Sequence, residues 1–101
     1  MPKRRLPREV WQALRQEVWA RDTHRCVRCV ALGVDQELAL DVVHIDHIVS
    51  GKRGSNAVSN LRTLCRLHHV LRADGRHRGM LASALKDGII PSDWRRWVWD
   101  G

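Results

Sequence analysis

Residues 44–48 read His44-Ile45-Asp46-His47-Ile48, and residues 60–69 read Asn60-Leu61-Arg62-Thr63-Leu64-Cys65-Arg66-Leu67-His68-His69. The first stretch closes a run from Leu38 to Ile48 rich in Val, Ile and Leu, a composition that suits strands. The second opens on Asn60, a good helix N-cap. Its Leu61 and Leu64, with Leu71 beyond, fall on one face of a helix from Leu61 to about Ala73. Between the two lies Ser50–Asn60, polar and glycine-containing, which reads as a loop. It is long for a passive connection, and such loops are often functional. The order of strands, loop and helix predicts a small α+β fold.

Upstream, residues 1–7 hold Pro2, Pro7 and a basic cluster, and read as a flexible basic arm. A helix follows from Pro7 or Arg8, since proline is tolerated in a first turn. Val10, Leu14 and Val18 give it an apolar stripe, and Asp22-Thr23-His24 ends it. Downstream, a short helix around Leu81–Lys86 ends at Gly88, and a last turn after Pro91 carries Trp94, Trp97 and Val98, with Ser92 as its cap. Residues 8–101 are expected to form a single domain. Most of the five tryptophans are expected to pack a small core.

Cys26 and Cys29 have the C-x2-C spacing that brings two thiolates from one tight turn to a single ion. Cys65 pairs with His68 at i, i+3 or with His69 at i, i+4 on the predicted helix. His68 and His69 point about 100° apart and do not serve one ion. Three Cys and one His make a closed tetrahedral zinc site. Such a clamp would join the knuckle after the first helix to the second helix. In a domain this small it would dominate stability, with apparent zinc binding energies of roughly 10–16 kcal/mol.

A carboxylate and an imidazole can hold a divalent ion with open positions, and a separate imidazole can take a proton from an attacking water. Asp46, His47 and a helix-borne His supply those groups. On a regular strand His44 shares a face with Asp46. It is an accessory ligand, a phosphate contact or a surface residue. His24 and His77 have no pattern around them and are expected to be solvated.

The run His44–Ile48, the loop, Asn60-Leu61 and Leu64-Cys65-x-x-His68-His69 together resemble the HNH endonuclease family, in its zinc-knuckle phage and bacterial form. The likeness extends from about Trp11 to Arg72. It implies a ββα-metal core with a structural zinc site, here flanked by an N-terminal helix and short C-terminal helical segments. It implies Cys26, Cys29, Cys65 and His68 as the structural zinc set. Asp46 and His69 match the ligands of the catalytic divalent cation, which could be Mg2+, Mn2+, Ni2+ or Zn2+. His47 matches the general base, and Asn60 the residue that holds the loop and that base in orientation. The activity implied is hydrolysis of DNA phosphodiester bonds to a 5′-phosphate and a 3′-hydroxyl. Many members carry Cys where this chain has His68, Pro at Ser50 and a Gly pair at Gly54-Ser55. The first change exchanges one zinc ligand for another, and the others bear on loop conformation.

The charge fits that reading. The chain has 101 residues, 18 Lys plus Arg against 11 Asp plus Glu, and a net charge of +7. A basic excess favours polyanions through counterion release. Lys52, Arg53, Arg62, Arg66 and Arg72 surround the proposed site in sequence and are candidate phosphate contacts. Three cysteines do not make a disulfide scaffold. No apolar run reaches membrane-spanning length, and the basic start lacks the apolar stretch of a secretory signal. The expected setting is the cytoplasm of a bacterial or phage-infected cell. The expected partner is DNA, with a phage packaging (terminase) assembly or a second copy as further candidates. The tail from Ile89 to Gly101 offers such a surface or covers the core. The competing reading is a non-catalytic zinc module that binds nucleic acid or protein.

Overall fold

The computed structural model describes residues 5–49, 53–72 and 78–99, and among these described residues eight elements follow one another. The chain divides into two compact units between Cys65 and Arg66. The first four residues of the arm, Lys52, the expected helix end at Ala73 and His77 lie outside the described residues.

In the first unit, helix α1 spans Arg8–Arg21. Pro7 precedes it, and its carbonyl accepts from Trp11 N at 3.0 Å. Val18 is fully buried, Trp11 and Leu14 are half-buried, and Val10 is exposed, so the inward stripe deepens toward the end of the helix. Thr23 and His24 stop the helix by adopting positive φ angles of 58° and 62°. His24 N donates back to Trp19 O at 2.9 Å. The two rings stack with centroids 3.7 Å apart, which offsets part of the cost of the left-handed backbone. A five-residue helix α2, Val27–Ala31, begins directly after Cys26.

Strand β1 covers only His44–His47, not the whole apolar run from Leu38. The preceding residues are held by side chains of α1. Trp19 Nε1 donates to Leu38 O at 2.8 Å, and Arg15 Nη2 donates to Leu40 O at 3.0 Å and Val43 O at 3.3 Å. Those carbonyls are occupied without a neighbouring strand.

Strand β2 is Leu61–Leu64, where the sequence pattern predicted the first turn of a helix. It pairs antiparallel with β1 in the register His44↔Leu64, Ile45↔Thr63, Asp46↔Arg62 and His47↔Leu61. Leu61, Thr63 and Leu64 are buried. The end of α1 grips this strand. Asp22 Oδ2 accepts from Thr63 N at 2.8 Å, and Arg21 donates to Val58 O at 2.8 Å and Leu61 O at 2.7 Å. Long-range pairing and these side-chain bonds override a leucine spacing that fits a helix equally well. A single 3₁₀ turn, Val58–Asn60, leads into β2.

In the second unit, helix α3 is Arg66–Val70 and helix α4 is Arg78–Lys86. Val70, Leu71, Ala84 and Ile90 are buried together, with Leu67, Met80, Leu81, Trp94 and Trp99 packed against them. Gly88 ends α4 with φ of 70°, a conformation glycine adopts without a Cβ penalty. A 3₁₀ turn at Trp94–Trp97 follows; Asp93 precedes it, and no side chain caps it. Trp99 Nε1 donates to His68 O at 2.6 Å, and Trp99 N donates to Leu71 O at 3.1 Å. Trp94 and Trp99 thus do the packing expected of the tryptophans, while Trp97 is 57% exposed. Among the described residues, no helix is long and apolar enough to cross a membrane.

Candidate functional site

Cys26, Cys29, Cys65 and His68 bring one ligand atom each within 4.8 Å of all the others. The knuckle comes from the turn between α1 and α2. Cys26 immediately precedes α2, and its sulfur accepts from Cys29 N at 3.5 Å. Cys65 follows the last residue of β2, and His68 lies in α3. The Sγ atoms of Cys29 and Cys65 are 3.9 Å apart. Two thiolates at about 2.3 Å from one tetrahedral zinc lie about 3.8 Å from each other, so the spacing fits a shared ion. All three cysteines are free of disulfides. Burial pushes the Cys29 thiol up, Cys26 adds to the effect, and Cys65 opposes it. A divalent ion reverses that balance by stabilising the thiolate. Of the two histidine partners open to Cys65, His68 is the one that joins the cluster. Four protein ligands leave no open position, so the centre can hold the fold but not activate a water.

Asp46 and His47 stand side by side on β1 and meet different surroundings. The Asp46 side chain is only 3% exposed, and its Oδ2 accepts from Arg62 Nε at 2.9 Å. The two residues are direct cross-strand partners, which accounts for the contact. His47 Nε2 lies 2.9 Å from Asn56 Oδ1. Its ring also stacks parallel to Trp11 of α1, with centroids 6.0 Å apart and an interplanar angle of 3°.

Asn60 is the hub of the loop between the strands. Its Oδ1 accepts from Val49 N at 2.8 Å, and its Nδ2 donates to Val49 O at 3.0 Å and Ser55 O at 2.8 Å. Its backbone N donates to Ala57 O, and its carbonyl accepts from Ile48 N, both at 2.8 Å. Asn60 ends a 3₁₀ turn before a strand, so the helix N-cap reading does not apply. Its side chain braces the loop instead.

The remaining expected site residues stand on several elements. His44 starts β1 opposite Leu64, and His69 follows His68 in α3. Arg53 is exposed at the loop. Arg62 is engaged with Asp46. Arg66 donates to Asp87 at 2.7 Å and Ser83 at 3.2 Å within the second unit. Arg72 forms an isolated backbone bridge with Trp99. His24 lies under Trp19 with Nδ1 3.8 Å from a Glu37 oxygen. Sequence reasoning passed over Asn56 and the stacking of Trp11 on His47. The one signal for Asn56 was its place in a loop too long and polar to be passive.

No family model, curated protein or solved structure matches this chain.

Proposed function

We propose that the chain is a metal-dependent endonuclease of the HNH type that hydrolyses DNA phosphodiester bonds, stabilised by zinc on Cys26, Cys29, Cys65 and His68. The observation that carries the reading is the bracing of the interstrand loop by Asn60. Its side chain bonds both backbone groups of Val49, two residues beyond His47. That is the duty the family resemblance assigns to this asparagine, and a pure binding module has no need of it beside an Asp-His pair. The chain order of β1, loop, β2 and α3 agrees with a strand–strand–helix core.

His47 serves as the general base. It takes a proton from water while the water oxygen attacks phosphorus, the bond to the 3′ oxygen breaks, and the departing oxygen takes up a proton from solvent. The products are a 5′-phosphate and a 3′-hydroxyl. A divalent ion on Asp46 and His69, when bound, would supply positive charge to the phosphate and the departing oxygen. Asn60 keeps the loop in place beside the base. Exposed basic groups such as Arg53 grip backbone phosphates, so sequence preference is weak.

Plasmid nicking with a panel of divalent ions tests the reading. Nicking by the native chain and its loss in His47→Ala is the expected result. Equal nicking by both would remove His47 as the base.

One observation favours the second reading, a non-catalytic zinc module. Asp46 is buried and already paired with Arg62. Failure of every divalent ion to support nicking by zinc-loaded protein would select it.

A further inference from the structure

We infer that Asn56 is the residue that sets the tautomer of His47, and that it leaves Nδ1 as the proton-accepting nitrogen. The inference rests on the reading of His47 as a general base. An imidazole is a base only at the nitrogen that lacks a proton, so the partner of the other nitrogen decides which one reacts. Asn56 Oδ1 lies 2.9 Å from Nε2, and an amide oxygen only accepts. Nε2 therefore carries the hydrogen and donates it, and the lone pair sits on Nδ1. Among the described residues nothing hydrogen-bonds Nδ1.

The device is built to hold. Asn60 fixes the backbone on both sides of Asn56, donating from Nδ2 to Ser55 O and from its backbone N to Ala57 O, each at 2.8 Å. Ser55 Oγ accepts from Ala57 N at 3.3 Å across the same residue. Trp11 lies parallel to the His47 ring at 3°, which resists rotation of the imidazole out of the Asn56 bond. The chain of support runs from Asn60 through Ser55 and Ala57 to Asn56, and from Asn56 to the ring. Asn56 is a positioning residue: it acts on the reaction through His47. The arrangement also gives Asn60 a second task, because the loop it braces presents the amide that orients the base.

The test has a readout that a merely structural role would not move. Long-range nitrogen–proton NMR spectra of the zinc-loaded full chain, recorded well above the ordinary imidazole range, report the tautomer of His47 directly. The native protein is expected to show the Nε2–H form. Asn56→Ala is expected to show a mixture of forms, and Asn56→Asp, which keeps an acceptor at that position, is expected to retain Nε2–H. In plasmid cleavage, Asn56→Ala is expected to lower kcat by on the order of tenfold, with KM unchanged and recovery in Asn56→Asp, the scale of one hydrogen bond. A native Nδ1–H tautomer, or one unmoved in Asn56→Ala, overturns the inference. The native spectrum needs no variant, so the test stands even where Asn56→Ala fails to fold. A chain that shows the Nε2–H form but cleaves no DNA with any divalent ion would refute the nuclease reading and leave the tautomer assignment intact.

Discussion

The guanidinium of Arg62 and the carboxylate of Asp46 face each other across the two-stranded sheet, Nε to Oδ2 at 2.9 Å, with 12% and 3% of their side chains exposed. Two charges this deeply withdrawn from water hold each other in place, and neither is tolerated alone. The pair therefore bears on stability and, on the proposed nuclease reading, on binding of the second ion.

Arg62→Met strands a buried carboxylate and is expected to destabilise the chain by about 3–5 kcal/mol. Pairing it with Asp46→Asn removes the charge and recovers most of the loss. Urea denaturation of the two single variants and the double variant checks this. Equal losses that simply add would show that the pair is not coupled. On the proposed reading a divalent ion at Asp46 would compete with the same guanidinium, so Arg62→Met is expected to bind that ion more tightly, read by calorimetric titration of zinc-loaded protein.

Zinc removal is the second prediction. One zinc per chain is expected by elemental analysis, and a strong chelator is expected to collapse the far-ultraviolet circular dichroism. Cys65→Ser and Cys29→Ser each remove one of the four ligands and lower affinity steeply. An unchanged spectrum after zinc is shown to be gone would mean that the hydrophobic cores suffice without it.

Zinc binding at the Cys26, Cys29, Cys65 and His68 cluster is expected to depend on pH. Burial holds the Cys29 thiol above its ordinary value of 9.0, so at neutral pH the metal-free site keeps that proton. Binding ejects it, and affinity falls as pH is lowered because protons compete with the metal for the thiolates. Calorimetry in buffers of different ionisation enthalpy is expected to show net proton release on zinc addition. Binding independent of pH would contradict the thiolate assignment.

Asp22→Ala tests the grip of α1 on the sheet. It removes the acceptor of the fully buried Thr63 N–H and a partner of Arg21. The expected cost is about 1–3 kcal/mol, because a buried donor is left unmade. Zinc content is expected to stay at one per chain, which separates this effect from ligand loss.

DNA binding is expected to weaken linearly in a log–log plot against salt, with a slope of about −0.9 per neutralised phosphate. Arg53→Ala is expected to reduce that slope by about one and to weaken binding equally across sequences. A salt-independent affinity would argue against a grip on phosphates.

The residues differ sharply in how far the sequence announced their roles. Helix α1 and the Cys26, Cys29, Cys65 and His68 cluster were legible, because a 3.6-residue stripe and paired ligand spacings are local signals. Strand β2 was not. Leu61 and Leu64 fit a helical face, and the grip of Arg21 and Asp22 that makes them a strand spans 37 to 41 residues of sequence. The apolar run from Leu38 looked like strand throughout, but Trp19 and Arg15 take carbonyls that a partner strand would have used. The Asp46–Arg62 pair depends on strand register, which no spacing rule reveals. Asn56 meets His47 only because Asn60 folds the loop back on itself.

Cleavage of an end-labelled duplex by the zinc-loaded chain, with analysis of the termini, tests the nuclease assignment most directly. Divalent-dependent cuts bearing 5′-phosphate and 3′-hydroxyl ends are expected, slowed by on the order of a hundredfold or more in His47→Ala. Cuts at the same rate in that variant, or an intact duplex with every divalent ion, would contradict it.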